Sequence, residues 1–165
     1  MDRRSFCQQI VGSGIAVGSL LNRVHADSPS AGRAATGAPA VKWQTSLKTA
    51  QKMALQQNKP IMIVFGARWC KYCPKMERET LGDRRTAAMI DREFIPVHLD
   101  FDKEEKVAKI LEVERLPCVV ILTPEADLLV KFEGFAEPKE FQSTLSAALE
   151  KRSAIQQVRS ETIRR

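Results

Sequence analysis

Hydrophobic positions along the chain switch between helical spacing and continuous apolar runs. From Thr45 to Asn58, apolar residues recur at helical spacing behind polar capping candidates, and Pro60 follows. The next stretch, "IMIVF" at 61–65, is continuously apolar and rich in β-branched residues. Such a run is typical of a strand that helices cover on both faces. The pattern therefore predicts a helix followed by a central buried strand.

The same switching continues to the end of the domain and predicts an α/β fold. A helix is predicted from Pro74 to Leu81, with Gly82 ending it and Asp83 capping the next helical segment. This order of elements requires a central mixed β-sheet flanked by helices, with an antiparallel hairpin at 118–132. The remaining predicted elements are a strand at 94–101, a helix at 104–113, strands at 118–122 and 128–132, and a helix from about 138 that turns Phe141, Leu145 and Leu149 inward.

The N-terminal segment has the three-part pattern of an export signal. A pair of arginines precedes an apolar run at 10–21, and small residues stand at the two positions that a signal peptidase reads before a cut after Ala26. We therefore expect residues 1–26 to be a cleaved signal, and its "RRSF" string resembles the twin-arginine type. Cleavage would remove Cys7.

Composition divides the rest of the chain into three parts. Residues 27–40 are small and polar with two prolines and two glycines, the composition of a flexible linker. A folded domain is expected at 41–150 and a basic C-terminal tail at 151–165. The net charge of +6 falls to a mild +4 once residues 1–26 are subtracted, and the tail has no aromatic residue, which argues against a nucleic-acid partner. No apolar run is long enough for stable membrane insertion after signal cleavage.

Candidate chemistry is concentrated in "ARWCKYCPKM" at 67–76. Cys70 falls between the end of the buried strand and the start of a helix, where unpaired backbone amides stabilise a thiolate. The thiolate is the attacking form, and a nearby cation such as Lys71 or Arg68 favours it further. Cys73 stands one turn later, within reach of a disulfide. The pair is therefore predicted to be a redox-active disulfide in which the second cysteine releases mixed disulfides formed by the first.

Two other interpretations of the cysteines stay open on sequence alone. A structural disulfide is disfavoured because so short a loop stabilises little through chain entropy. A metal-binding module would use Cys70 and Cys73 to hold copper or zinc, with Cys118 or His98 completing the ligand set. Against it, Cys118 on a buried strand is typical of inert packing, and His98 of a packed or hydrogen-bonded strand residue.

The strings "VFGARWCKYCPKM" and "RLPCVVIL", together with the order of elements, resemble the thioredoxin superfamily over roughly residues 41–150. The resemblance is to its exported and thioredoxin-like branches. It implies a thioredoxin-like fold and a thiol–disulfide oxidoreductase, periplasmic or otherwise exported, that acts on exported protein thiols and disulfides. No diffusible cofactor is implied. A membrane or soluble thiol-redox partner would renew the active state.

The resemblance also implies roles for individual residues. Cys70 would be the exposed nucleophile and Cys73 the buried resolving thiol. Trp69 would flank the site. Pro117 would be a cis proline facing the cysteines, and the backbone of Leu116 before it would pair with an extended substrate segment.

This chain departs from the family pattern at two points. Thioredoxins usually bury an aspartate five residues ahead of the tryptophan, where it helps to shuttle the proton of the resolving thiol; Val64 stands there in this chain. Lys71 and Tyr72, rather than Gly-Pro, separate the cysteines and would shape the site. The departures raise the question of which group takes the proton of Cys73.

Overall fold

A computed structural model describes residues 41–163. The predicted signal at 1–26 and linker at 27–40 lie outside the described residues. The elements are α1 (Leu47–Gln57), β1 (Ile61–Gly66), α2 (Cys73–Lys75, continued by the π-helical segment Met76–Leu81), α3 (Arg84–Glu93), β2 (Ile95–Asp100), α4 (Glu105–Ile110), β3 (Cys118–Leu122), β4 (Leu128–Glu133) and α5 (Pro138–Ile163).

The described strands form one mixed sheet in the order β2-β1-β3-β4. Strand β1 runs parallel to β2 and antiparallel to β3, and β3 and β4 form the antiparallel hairpin predicted at 118–132. Gln44 adds an isolated parallel bridge to Val97 on β2. The α/β class, the mixed sheet and the hairpin predicted from the sequence are confirmed.

Strand β1 is buried along its whole length because helices cover both of its faces. Successive side chains point to opposite faces, so the strand feeds two separate cores. On one face, Met62 and Val64 pack with residues of α3 and α5 that include Ile90 and Phe141. The other core contains Ile61, Ile63, Phe65, Ala50, Ala54, Val97, Leu99, Ala108, Cys118 and Val120.

Helix boundaries follow local capping chemistry. The carboxylate of Asp83 accepts hydrogen bonds from the backbone N–H groups of Arg85 and Thr86, which caps α3 as predicted. These bonds, that of Thr86 first, hold the pKa of Asp83 below its usual range. Helix α4 is shorter than the predicted 104–113. It ends early because Glu112 adopts a left-handed conformation with φ of 54°.

The segment after the cysteines winds more widely than the regular helix predicted at 74–81. Met76–Leu81 is π-helical, and the N–H of Gly82 donates to the carbonyl of Glu77 at 2.9 Å. A Cβ on Gly82 would lie 2.6 Å from the backbone oxygen of Arg78, so only glycine fits this close approach. Single π-helical turns of this kind are often found at functional sites.

Residues 151–163, set apart from the sequence as the start of a basic tail, continue helix α5. Three of their basic side chains contact the body of the domain. The ammonium of Lys151 donates to the carbonyl of Leu129 at 3.0 Å. The guanidinium of Arg152 donates to Asn58 at the end of α1, and that of Arg159 pairs with Asp127 at 2.8 Å. Within residues 41–163, no helix has an apolar stretch long enough to cross a bilayer.

Candidate active site

Cys70 and Cys73 form a disulfide just beyond the end of β1. The S–S distance is 2.09 Å and the Cα atoms are 5.5 Å apart. A turn positions the first cysteine, whose N–H donates to the carbonyl of Ala67 at 3.1 Å, and Cys73 begins α2. The pair therefore lies at the junction of a buried strand and a helix, as predicted from the sequence.

Burial does not distinguish the two cysteines. Cys70 is 6% exposed and Cys73 is 5% exposed, whereas Cys70 was expected to be the exposed member. Their polar contacts do differ: the N–H of Cys73 donates to the Sγ of Cys70 at 3.1 Å. A hydrogen bond to a thiolate favours the charged form, so this contact stabilises Cys70 as the attacking sulfur after reduction.

The residues on either side of Cys70 present a large exposed surface. Trp69 and Tyr72 are 63% and 53% exposed, and Lys71 is also exposed. The Trp69 ring is fixed nonetheless, because its Nε1–H donates to both carboxylate oxygens of Asp102 at 3.1 Å. The ring also makes an edge contact with Phe101. Asp102 was not predicted from the sequence, because it stands in the turn two residues after β2 and has no local signal.

Pro117 lies beside the disulfide, and the peptide bond between Leu116 and Pro117 is cis, as the resemblance implied. Pro117 is buried and lines a narrow space together with Val64 and Cys73. Its carbonyl accepts a hydrogen bond from the N–H of Gly134 at 2.7 Å. Leu116 is partly buried against the core that contains Phe65. The loop before β3 thus faces the cysteine pair.

A second group of side chains lies behind Cys73, in an open cleft of about 280 Å³. Cys73, Glu77 and His98 line the cleft, together with Gly66. The Nε2 of His98 lies 3.1 Å from an Oε1 of Glu77. The sequence analysis missed Glu77, although its position four residues after Cys73 places it one turn along the same helical segment.

Cys118 packs on the other face of the sheet from this cleft. It is fully buried in the core that contains Ile63 and Phe65. Burial, reinforced by the negative charge of Glu133, raises the pKa of the Cys118 thiol to about 12. The structure does not bring Cys118 into a ligand set with Cys70 and Cys73. Across residues 41–163, no three His, Cys, Asp or Glu side chains are grouped to hold a metal ion.

A mixed sheet with a Cys-x-x-Cys disulfide at the end of its central strand, facing a cis proline, defines a protein of thioredoxin-like fold. The family model for a thioredoxin-like domain matches residues 47–149, and the chain belongs to this family. No curated protein sequence matches the chain.

Solved structures share the fold at low sequence identity. DsbH oxidoreductase matches with a TM-score of 0.62 and 20% identity, covering 81% of this chain and 95% of that one. A thioredoxin from Thermus thermophilus matches with a TM-score of 0.60 and 22% identity, covering 64% of this chain and 85% of that one. The reduced C-terminal domain of DsbD from Neisseria meningitidis matches with a TM-score of 0.53 and 22% identity, covering 64% of this chain and 93% of that one. These likenesses concern the fold.

Proposed function

We propose that this protein is a thiol–disulfide oxidoreductase that acts on exported proteins through Cys70 and Cys73. The observation that carries the proposal is the disulfide itself, at a strand–helix junction with an N–H directed at Cys70 Sγ. A purely structural bridge would gain little from so short a loop. The chemistry uses only sulfur atoms, so no diffusible cofactor is needed.

The reaction is a pair of sulfur exchanges. In the reduced protein, the Cys70 thiolate attacks a substrate disulfide, which forms a mixed disulfide and releases one substrate sulfur as a thiolate. Cys73 then loses its proton and attacks Cys70 Sγ. The mixed disulfide breaks, the Cys70–Cys73 bond forms, and the second substrate sulfur leaves. The substrate gains two electrons that the protein loses, and the reverse sequence oxidises a substrate dithiol.

A protein substrate fits the surface around the disulfide. Trp69 and Tyr72 give an exposed aromatic rim, and Pro117, in the loop that also contains Leu116, lines a space with Cys73. An extended substrate segment would lie along that loop and bring its sulfur to Cys70.

A membrane or soluble thiol-redox partner would approach by the same face to renew the protein.

Substitution of the resolving cysteine tests this assignment directly. In cells, Cys73→Ser should accumulate mixed disulfides between Cys70 and substrate proteins, because the second exchange is blocked. The matched variant Cys70→Ser should accumulate none. Affinity purification and non-reducing electrophoresis measure both. Equal trapping by the two variants would show that the nucleophile is misassigned, and absence of trapping in both would contradict the proposed exchange.

The exported location rests on the sequence of residues 1–26 and is tested separately. We expect the mature protein to begin at Asp27 and to be recovered from the export compartment. Mass spectrometry of the purified N-terminus and cell fractionation measure these two properties. An intact N-terminus in the cytoplasm would contradict the location without affecting the chemistry proposed for the cysteines.

A further inference from the structure

The resolving step requires a group that takes the proton of Cys73. Cys73 is 5% exposed, and a thiol attacks only after it has lost its proton. Val64, which stands where thioredoxins usually have an acid, lines the narrow space beside Cys73 with an apolar side chain that is 2% exposed. Val64 has no atom that accepts a proton, so the acceptor must be another residue near the sulfur.

His98 and Cys73 approach one another over Gly66. A Cβ built on Gly66 would lie 3.6 Å from His98 Nε2 and 3.7 Å from Cys73 Sγ. The imidazole and the sulfur are thus both within van der Waals distance of one point, which glycine leaves open. The cleft that they line has room for bridging water, since a water molecule occupies about 30 Å³ of liquid.

Glu77 fixes the His98 ring in this position. Its Oε1 is 3.1 Å from His98 Nε2, and it belongs to the π-helical segment that Gly82 closes. Trp43 also makes an edge contact with the ring, at 6.0 Å between centroids. A carboxylate has no proton to donate, so His98 Nε2 carries the hydrogen and Nδ1 is the acceptor of the neutral ring.

An imidazole suits this task better than a carboxylate. A general base works best when its pKa lies near the operating pH, and histidine is the side chain that ordinarily changes charge between about pH 5 and 8. The Glu77 carboxylate stabilises the imidazolium that forms when the ring takes a proton. Arg68 and Asp100 also line the cleft and contribute one charge of each sign.

We propose that His98, positioned by Glu77, accepts the proton of Cys73 when a mixed disulfide on Cys70 is resolved. This inference rests on the proposed oxidoreductase function and adds a base to it. The S–H bond of Cys73 breaks, and its proton passes through cleft water to Nδ1 of His98. The resulting thiolate attacks Cys70 Sγ, and the electron pair of the broken mixed disulfide leaves on the substrate sulfur.

The two exchanges can be timed separately with 5,5′-dithiobis(2-nitrobenzoate). The full chain is used with Cys7→Ser, so that the reactive cysteines are the pair. Attack by reduced Cys70 releases one thionitrobenzoate, and resolution by Cys73 releases a second, which gives two absorbance phases. At pH 7, His98→Gln should slow the second phase by about 10²-fold and leave the first nearly unchanged. Glutamine keeps a donor for Glu77 but cannot act as a base.

Two matched carboxylate variants sharpen the assignment. Glu77→Gln should slow the second phase less than His98→Gln does, because the ring loses its anionic partner but remains a base. Glu79→Gln is the control, since Glu79 stands on the same segment but pairs with Lys75 and Arg78 instead. Its two phases should match those of the unsubstituted protein.

The pH profile separates a base from a merely structural histidine. In the protein with His98, the second phase should accelerate over the pH range in which histidine ordinarily loses its charge and then level off. In His98→Gln it should instead keep rising with pH without levelling off, because hydroxide in the cleft then takes the proton. An unchanged second phase in His98→Gln, equal slowing at every pH, or a profile without a neutral inflection in the unsubstituted protein would overturn the proposal. Loss of both phases in all variants would instead contradict the oxidoreductase function.

Discussion

Cys73 and Cys118 are both buried sulfurs, with 5% and 0% of their surface exposed, and they lie on opposite faces of the same central sheet. Their surroundings differ in polarity. Cys73 is bonded to Cys70 and borders a cleft that contains His98 and Glu77. Cys118 pairs along the sheet with Phe65 and is enclosed by aliphatic side chains.

The comparison shows that burial alone does not decide whether a cysteine reacts. A buried thiol without polar partners has its pKa raised and stays protonated, as burial raises the pKa of Cys118 to about 12. A cysteine at a helix start gains a donor for its thiolate, as Cys70 does from the N–H of Cys73. The reactive site is therefore set by donors and proton acceptors near the sulfur.

The largest expected difference between the two sites is in disulfide exchange. Cys70→Ser should reduce exchange with a model protein disulfide to the uncatalysed background, because the attacking sulfur is gone. Cys118→Ala should stay within about twofold of the unsubstituted rate, as an inert packing residue allows. Reduction of insulin by each variant under a common reductant measures both. A rate loss in Cys118→Ala comparable to that in Cys70→Ser would break the comparison.

Alkylation of the reduced native protein should separate the same cysteines by rate. With its pKa near 12, Cys118 has a thiolate fraction at pH 8 about 10³-fold below that of an ordinary cysteine, and burial slows access further. Cys70 should be labelled first by iodoacetamide, and Cys118 only after unfolding in denaturant. Peptide mass spectrometry at timed intervals follows each site. Early labelling of Cys118 would contradict its burial and its raised pKa.

A methyl group on Gly66 should affect the resolving step at Cys73 and leave the surroundings of Cys118 unchanged. In Gly66→Ala the new Cβ makes ordinary contacts with the His98 ring at 3.5 Å and with Cys73 Sγ at 3.7 Å. It occupies the point through which the proton passes, so the resolving phase should slow several-fold while the attack phase serves as an internal control. If both phases of Gly66→Ala run at the rates of the unsubstituted protein, the cleft over Gly66 has no part in resolution.

The smallest expected effect is on stability at alkaline pH. The folded-state pKa of Cys118 is raised from about 9 to about 12, so its contribution to stability is complete below pH 9 and declines as pH rises from 9 to 12. Cys118→Ala should lose about 1 kcal/mol at pH 7 through lost packing and show a shallower alkaline decline. Urea denaturation followed at several pH values tests this. An identical pH dependence in the two proteins would contradict the raised pKa.

The fold was predictable because local patterns agreed with the global architecture. The continuous apolar run of β1 predicted burial on both faces, and the short connection after Leu122 predicted the hairpin. The capping residue Asp83 and the start of α5 at Pro138 were also readable from local chemistry. The prediction was wrong where the backbone departs from regular helical geometry, as at the π-helical Met76–Leu81 segment.

The candidate site was predictable only in its local part. Cys70, Cys73 and Trp69 are contiguous in sequence, so their motif was visible. His98 lies on β2 and Asp102 stands two residues beyond its end. Both reach the site because β1 and β2 run parallel and end together, a contact that no local pattern encodes.

The central claim is that Cys70 and Cys73 are a reversible redox couple while Cys118 stays a thiol. The most direct test equilibrates the purified protein across glutathione buffers of increasing oxidation, alkylates it under denaturing conditions and identifies each cysteine by mass spectrometry. The account predicts one two-electron transition in which Cys70 and Cys73 lose their thiols together and Cys118 keeps its own. Absence of a reversible transition, or a transition that includes Cys118, would contradict it.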